Sequence, residues 1–148
     1  MKKVKIIVFC LGILMMLSCN FSANVNFKDE KLEKENAEST AALFFSAIRD
    51  NKIENALELF SDTIYKNKDE KEKVKLFLIQ KNEKLGNFKD YILKDWKTSR
   101  AIGTDSKALY LLVYDVKYDN SETKETMTLV NEKEVVKIWN YNVDLLDK

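Results

Sequence analysis

The hydrophobic period of this chain changes once, at Gly86, and that single change limits the folds open to it. Before Gly86 the period is helical. Ala37, Ala41, Phe44 and Ile48 recur at i, i+4, i+7 and i+11, one face of an α-helix, and Leu43 and Phe45 widen the stripe. Arg49-Asp50-Asn51-Lys52 interrupts it. Asn51 with Glu54 three residues later matches a capping box, which predicts a second helix carrying Ile53, Ala56, Leu57 and Phe60 inward. A third helix is predicted over Lys66 to Gly86, with Val74, Phe77, Leu78 and Leu85 buried. Acids crowd its first turns, where the helix dipole favours them, and Gly86 is placed to close its C-terminus. The charged run Lys68 to Lys75 reads as a solvated face, with Asp69 and Lys73 paired at i, i+4.

After Gly86 the period is two. Asp90 to Ile102, Lys107 to Tyr118, Glu122 to Val130 and Glu134 to Val143 are rich in β-branched and aromatic residues, and "GTDS", "DNS" and "NEK" separate them. Alternation puts Ala108, Tyr110, Leu112, Tyr114, Val116 and Tyr118 on one face of the second segment, opposite Leu109, Leu111, Val113, Asp115 and Lys117. Met127 and Leu129 face inward from the third, and Trp139, Tyr141 and Val143 share a side of the fourth. No proline interrupts any strand. Helices first and strands afterwards predict an α+β domain: about three helices packed on one face of a four-stranded antiparallel sheet.

The first 28 residues do not belong to that pattern. Lys2, Lys3 and Lys5 precede Ile6 to Leu17, twelve residues without a charge. A basic start and a short apolar run form a secretory signal, and the run is well below the ~20 residues a membrane-spanning helix needs. "MLSC", Met16 to Cys19, resembles the bacterial lipobox, with Leu17 standing where a small residue is more usual. That resemblance implies cleavage before Cys19, a diacylglyceryl thioether on its sulfur and an acylated, for example palmitoylated, new amino group. The predicted organisation is a signal peptide over 1–18, a lipidated cysteine and tether over 19–28, and the α+β domain over 29–148. The expected location is a bacterial membrane of the cell envelope, on the periplasmic side where the cell has an outer membrane. Cys10 leaves with the signal, so no intramolecular disulfide is expected. Cleavage also removes three lysines and no acid, leaving 22 basic against 24 acidic residues. A net charge of −2 argues against a nucleic-acid partner.

The chemistry is bounded by what is missing. The chain has no histidine, which removes histidine-based triads, histidine-ligated zinc and histidine pH switching. It has three glycines and no phosphate-binding glycine loop, and no acid spacing fits a calcium loop. No metal or cofactor is expected. Carboxylates and tyrosines remain: Asp95 and Asp115 are candidate acid/base residues, although Asp115 alternates with the inward tyrosines. Tyr110, Tyr114, Tyr118, Trp139 and Tyr141 form an aromatic set able to line a pocket. Arg49 and Arg100 are the only arginines, candidates for contact with an anion or a partner.

The order of elements resembles the nuclear transport factor 2-like, or cystatin-like, α+β cone, in which N-terminal helices cover a curved antiparallel sheet. More narrowly, "KLG" (Lys84 to Gly86) through "ETMTLVNEKEVVKIWNYNV" (Glu125 to Val143) resembles a group of uncharacterised bacterial exported domains. It departs from that group where Asn140 replaces the usual glycine before the final aromatic and where the preceding turn lacks glycine. The favoured expectation is a membrane-tethered, non-catalytic binding or interaction module, with the membrane and either a protein or a small apolar ligand as partners. The alternative is a cone-fold enzyme using an Asp/Tyr acid–base pair, as some members of the superfamily do.

Overall fold

A computed structural model describes residues 27–63, 67–100 and 108–146; the predicted signal segment and Cys19 lie outside them. Three helices come first: α1 (Phe27–Arg49), α2 (Ile53–Leu57) and α3 (Lys68–Leu85). Four strands follow: β1 (Phe88–Arg100), β2 (Ala108–Tyr118), β3 (Glu122–Glu132) and β4 (Val135–Leu145). The sheet order is β1-β2-β3-β4 and every pairing is antiparallel. The α+β class and the helices-then-sheet order are therefore those the periodicity predicts. The helix α1 starts at Phe27, within the stretch expected to be tether.

Backbone hydrogen bonds explain the helix junctions. Asn51 does not open α2 as a capping box; α2 has Lys52 at its N-cap and no side-chain cap. Asn51 instead takes a left-handed conformation, φ 55°, that closes α1. Its N–H donates to the Ile48 carbonyl at 3.1 Å and that of Lys52 to Ala47 at 2.8 Å, the paired bonds of a Schellman motif. The side chain of Asn67 caps α3 by accepting from the Glu70 N–H at 2.9 Å. Asp69 and Lys73 do not pair. The ion pair on this face runs from Lys75 to Glu54 and ties α3 to α2.

Strand faces follow the predicted alternation until a bulge interrupts it. Tyr110, Leu112, Tyr114, Val116 and Tyr118 are all buried, as are Met127 and Leu129 opposite them. In β4, however, Ile138 pairs with Leu129 while Asn140 pairs with Thr128, so Trp139 is an extra residue in the ladder. Val136 and Ile138 face the core before it and Tyr141 after it, and Trp139 is left 41% exposed. Trp139 therefore does not share the inward side with Tyr141. Lys94 is a similar insertion in β1, between Leu93 (opposite Tyr114) and Asp95 (opposite Val113). The insertion turns Asp95 outward and Trp96 inward. The β3–β4 turn manages without glycine because Lys133 (φ 51°) and Glu134 (φ 69°) both adopt left-handed backbone, as a two-residue hairpin of this hand requires.

The core lies between the helices and one sheet face. Phe44 and Phe45, both without exposure, are its centre. Phe45 stacks on Tyr91 at 4.4 Å and meets Tyr114 edge-on at 5.1 Å, while Phe44 meets Tyr141 at 4.9 Å. Each such side chain contributes about 1.5–3 kcal/mol by burial. Leu43, expected to widen this face, and Phe77, expected to be buried in α3, are both exposed. Just after α2, the Ser61 N–H donates to the Ile138 carbonyl and the Ile138 N–H to that of Leu59, both at 2.8 Å. This short parallel bridge covers part of the free edge of β4.

Gly86 ends α3 as predicted, with φ 82° and its N–H donating to the Asn82 carbonyl at 2.9 Å. The β2–β3 turn packs directly against it: a Cβ added at Gly86 would lie 2.8 Å from the Cβ of Asp119. Backbone strain and this clash act together, so Gly86→Ala is expected to destabilise the fold by roughly 1–3 kcal/mol. A lowered urea midpoint at unchanged m-value is the expected readout; an unchanged midpoint would contradict it.

Candidate functional site

Two charged residues occupy core positions. Val74, Leu78, Lys81 and Leu85 follow i, i+4, i+7 and i+11 along α3, so Lys81 sits on the helix's apolar stripe. Glu125 shares strand parity with Met127 and Leu129 in β3. Packing α3 on the sheet brings them together with side-chain exposures of 3% and 0%.

The pair is fully hydrogen-bonded through two tyrosines and a threonine. Lys81 Nζ donates to the hydroxyl oxygens of Tyr118 at 2.7 Å and Tyr141 at 2.8 Å. Those hydroxyls donate in turn to Glu125, Tyr118 to Oε1 at 2.6 Å and Tyr141 to Oε2 at 2.5 Å. Thr123 Oγ1 donates to Glu125 Oε1 at 3.1 Å, and Lys81 Nζ lies 3.5 Å from the same oxygen. The ammonium also stands 5.0 Å from the Tyr118 ring centre and 5.3 Å from that of Tyr141. Both Glu125 oxygens and both tyrosine hydroxyl oxygens thus have a donor, and α3 is held to β2, β3 and β4 at one point.

Burial sets the protonation behaviour of this cluster. It pulls the Lys81 ammonium below its ordinary value, with Glu125 opposing that shift. Burial pushes the Tyr118 and Tyr141 hydroxyls well above theirs, and the neighbouring Glu125 charge adds to the effect. Perturbed groups gathered in one place are a hallmark of functional sites. Here the cluster lines neither of the two clefts described next, and its closed geometry is that of a structural pin.

The first cleft, about 380 Å³, opens between α1 and the first two strands. Tyr91, Leu93 and Tyr114 form its base, and Glu35, Glu38, Ser39 and Ala42 its helical wall. Both acids face lysines one turn earlier on α1: Glu35 lies 4.0 Å from Lys31, and Glu38 pairs with Lys34. The Tyr114 hydroxyl is raised by burial and then by the nearby Glu38 charge, so it remains a neutral donor. The second cleft, about 310 Å³, lies where the C-terminal ends of α1 and α3 meet, and Arg49 and Phe88 are on its wall.

The structure divides the sequence-derived candidates. Tyr114 lines the first cleft, Tyr118 and Tyr141 enter the buried cluster, Tyr110 is core, and Trp139 points away at its bulge. Asp95 and Asp115 lie on the outer sheet face. Asp95 Oδ1 accepts from the Trp96 N–H at 2.8 Å, and Asp115 is 3.4 Å from Lys94. Neither aspartate reaches either cleft. Arg49 lines the second cleft, while the Arg100 side chain and Cys19 fall outside what is described. Among the described residues no His/Cys/Asp/Glu group is placed to hold a metal, and no helix is long and apolar enough to cross a membrane. Sequence reasoning passed over Lys81 and Glu125, although the same periodicity that selected their neighbours marks both.

Two outcomes are expected. Glu125→Gln or Lys81→Met leaves one buried charge uncompensated and costs about 3–5 kcal/mol. The double variant is expected to cost about 1–3 kcal/mol less than the sum of the two, which denaturant unfolding of all four proteins would measure. At high pH, Tyr114, Tyr118 and Tyr141 keep their protons in the folded state while the unfolded chain loses them above about 10.0. Stability therefore falls as pH rises through that value. Lys81, with its lowered value, acts in the opposite sense only below 10.5. Tyrosinate absorbance from Tyr114, Tyr118 and Tyr141 should appear together with loss of the far-ultraviolet dichroism. Their ionisation in a still-folded chain would contradict this. Neither a protein-family model nor a curated protein matches this chain, so the chemistry of these sites rests on their own geometry.

Proposed function

We propose that this protein is a membrane-tethered, non-catalytic binding module of a bacterial cell envelope. The observation that carries the binding role is the contrast between its polar cluster and its open surface. The most perturbed titratable groups are internally paired and closed off, whereas the accessible cleft presents Tyr91, Leu93 and Tyr114 beside carboxylates that already have lysine partners. Such a surface offers apolar contact with a few polar anchors, which suits a small, largely apolar ligand. Its volume of about 380 Å³ falls near the lower end for ligand pockets, ~300–1,000 Å³. Asp95 and Asp115, either of which was to supply the carboxylate of the Asp/Tyr pair in the enzymatic alternative, sit on the opposite sheet face and lend that alternative no geometry. The tether rests on the sequence: the basic start, the short apolar run and the lipobox-like residues ending at Cys19. Each buried acyl methylene contributes ~0.8 kcal/mol, so two or more chains hold a domain of this size firmly on a bilayer.

Native mass spectrometry of the full chain, gently extracted from its own membranes, tests both halves. The expected result is an N-terminus at a lipidated Cys19 and a small co-purifying adduct. Ala42→Trp, which fills the cleft from an exposed helical position, should abolish the adduct. An unmodified Cys19 or a retained leader would overturn the tether. Absence of an adduct from the unaltered protein, or its persistence in Ala42→Trp, would overturn the ligand cleft.

A further inference from the structure

The second cleft is chemically unlike the first. Arg49 is the last residue of α1, and its guanidinium lies 5.3 Å from the centre of the Phe88 ring, which holds it over the cleft wall. Glu83 lines the same cleft from the last turn of α3. Among the described residues neither Arg49 nor Glu83 has an ion-pair partner, nor do they pair with each other. Two opposite charges facing one concavity without joining form a dipolar template.

The backbone reinforces the template. The C-terminal ends of α1 and α3 both abut the cleft, and a helix C-terminus carries partial negative charge. Glu83 is therefore disfavoured by the dipole of its own helix, and a ligand cation beside it would relieve that repulsion. Arg49, by contrast, presents a planar fork matched to a carboxylate. Asn51 and Asn82 supply neutral polar lining, and Gly86 leaves its corner without a side chain. A volume of about 310 Å³ admits a small molecule and little more.

We propose that this cleft binds a small zwitterion of the α-amino-acid class, its carboxylate on the Arg49 guanidinium and its ammonium on the Glu83 carboxylate. This site is separate from the aromatic cleft and does not depend on its occupant. The test is amide NMR titration of the full-length chain in detergent micelles with alanine, N-acetylalanine and alaninamide. N-acetylalanine removes the ammonium and alaninamide removes the carboxylate. Alanine should give saturable shifts at the Asn51, Gly86 and Asn87 amides, and both derivatives should bind at least tenfold more weakly. Arg49→Gln and Glu83→Gln should each weaken alanine at least tenfold while the dispersion of the amide spectrum shows the chain still folded. Equal binding of N-acetylalanine would reduce the site to a simple anion site and overturn the proposal. So would unsaturable shifts, shifts confined to the Tyr91 and Tyr114 side, or either variant binding as the unaltered protein does.

Discussion

The buried contact between Lys81 and Glu125 is the constraint around which the two halves of this chain are arranged. Burying a charge is costly unless it is paired and hydrogen-bonded, so a lysine and a glutamate on core faces admit few packings. They fix both the rotation of α3 and its position along β3. The tyrosines make the arrangement tolerable, because each hydroxyl accepts from the ammonium and donates to the carboxylate. Replacing this cluster with apolar side chains would leave α3 freer to slide, since a stripe such as Val74, Leu78 and Leu85 specifies a face more than a register.

The sheet depends on that contact through its bulges. Tyr141 reaches the cluster only because Trp139 is inserted into β4, which lets Ile138 and Tyr141 face the same core three residues apart. Lys94 does the same for β1, keeping Leu93 and Trp96 on one side. Bulges increase local twist and bend their strands, which helps a four-stranded sheet follow the helices packed against it. The bridge at Ile138 then ties the segment after α2 to the bulged strand, next to the inserted residue.

With its centre sealed, the fold opens the two clefts described above at the margins of the helical layer. The aromatic cleft lies beside α1, where the helix leaves Tyr91 partly uncovered next to the buried Tyr114, and the dipolar cleft lies where two helices end. These surfaces differ in chemistry because different groups border them. The flank of a helix supplies side chains at i, i+3 and i+4, whereas helix ends supply backbone charge and turn residues. A binding module with recognition at its rim and rigidity at its centre is physically coherent, since a well-packed support holds contact groups in place.

Much of this architecture was legible in the residues alone. The order of elements, the inward faces of β2 and β3, the aromatic centre and the cap at Gly86 all follow from periodicity and local backbone chemistry. These are properties of near neighbours in the chain. Trp139 does not share the side of Tyr141, as simple alternation has it, because an inserted residue reverses strand phase, and only cross-strand pairing reveals an insertion. Lys81 and Glu125 stood at positions whose spacing declared them buried, but charge argues for exposure, and resolving that conflict requires the partner. The partners of Lys81 lie 37 and 60 residues away, at Tyr118 and Tyr141. The sequence by itself thus determined which segments are helix and strand and which way most of them face. Tertiary structure decided the bulge phases, the charge pairing and both clefts, because each depends on contacts between residues far apart in the chain.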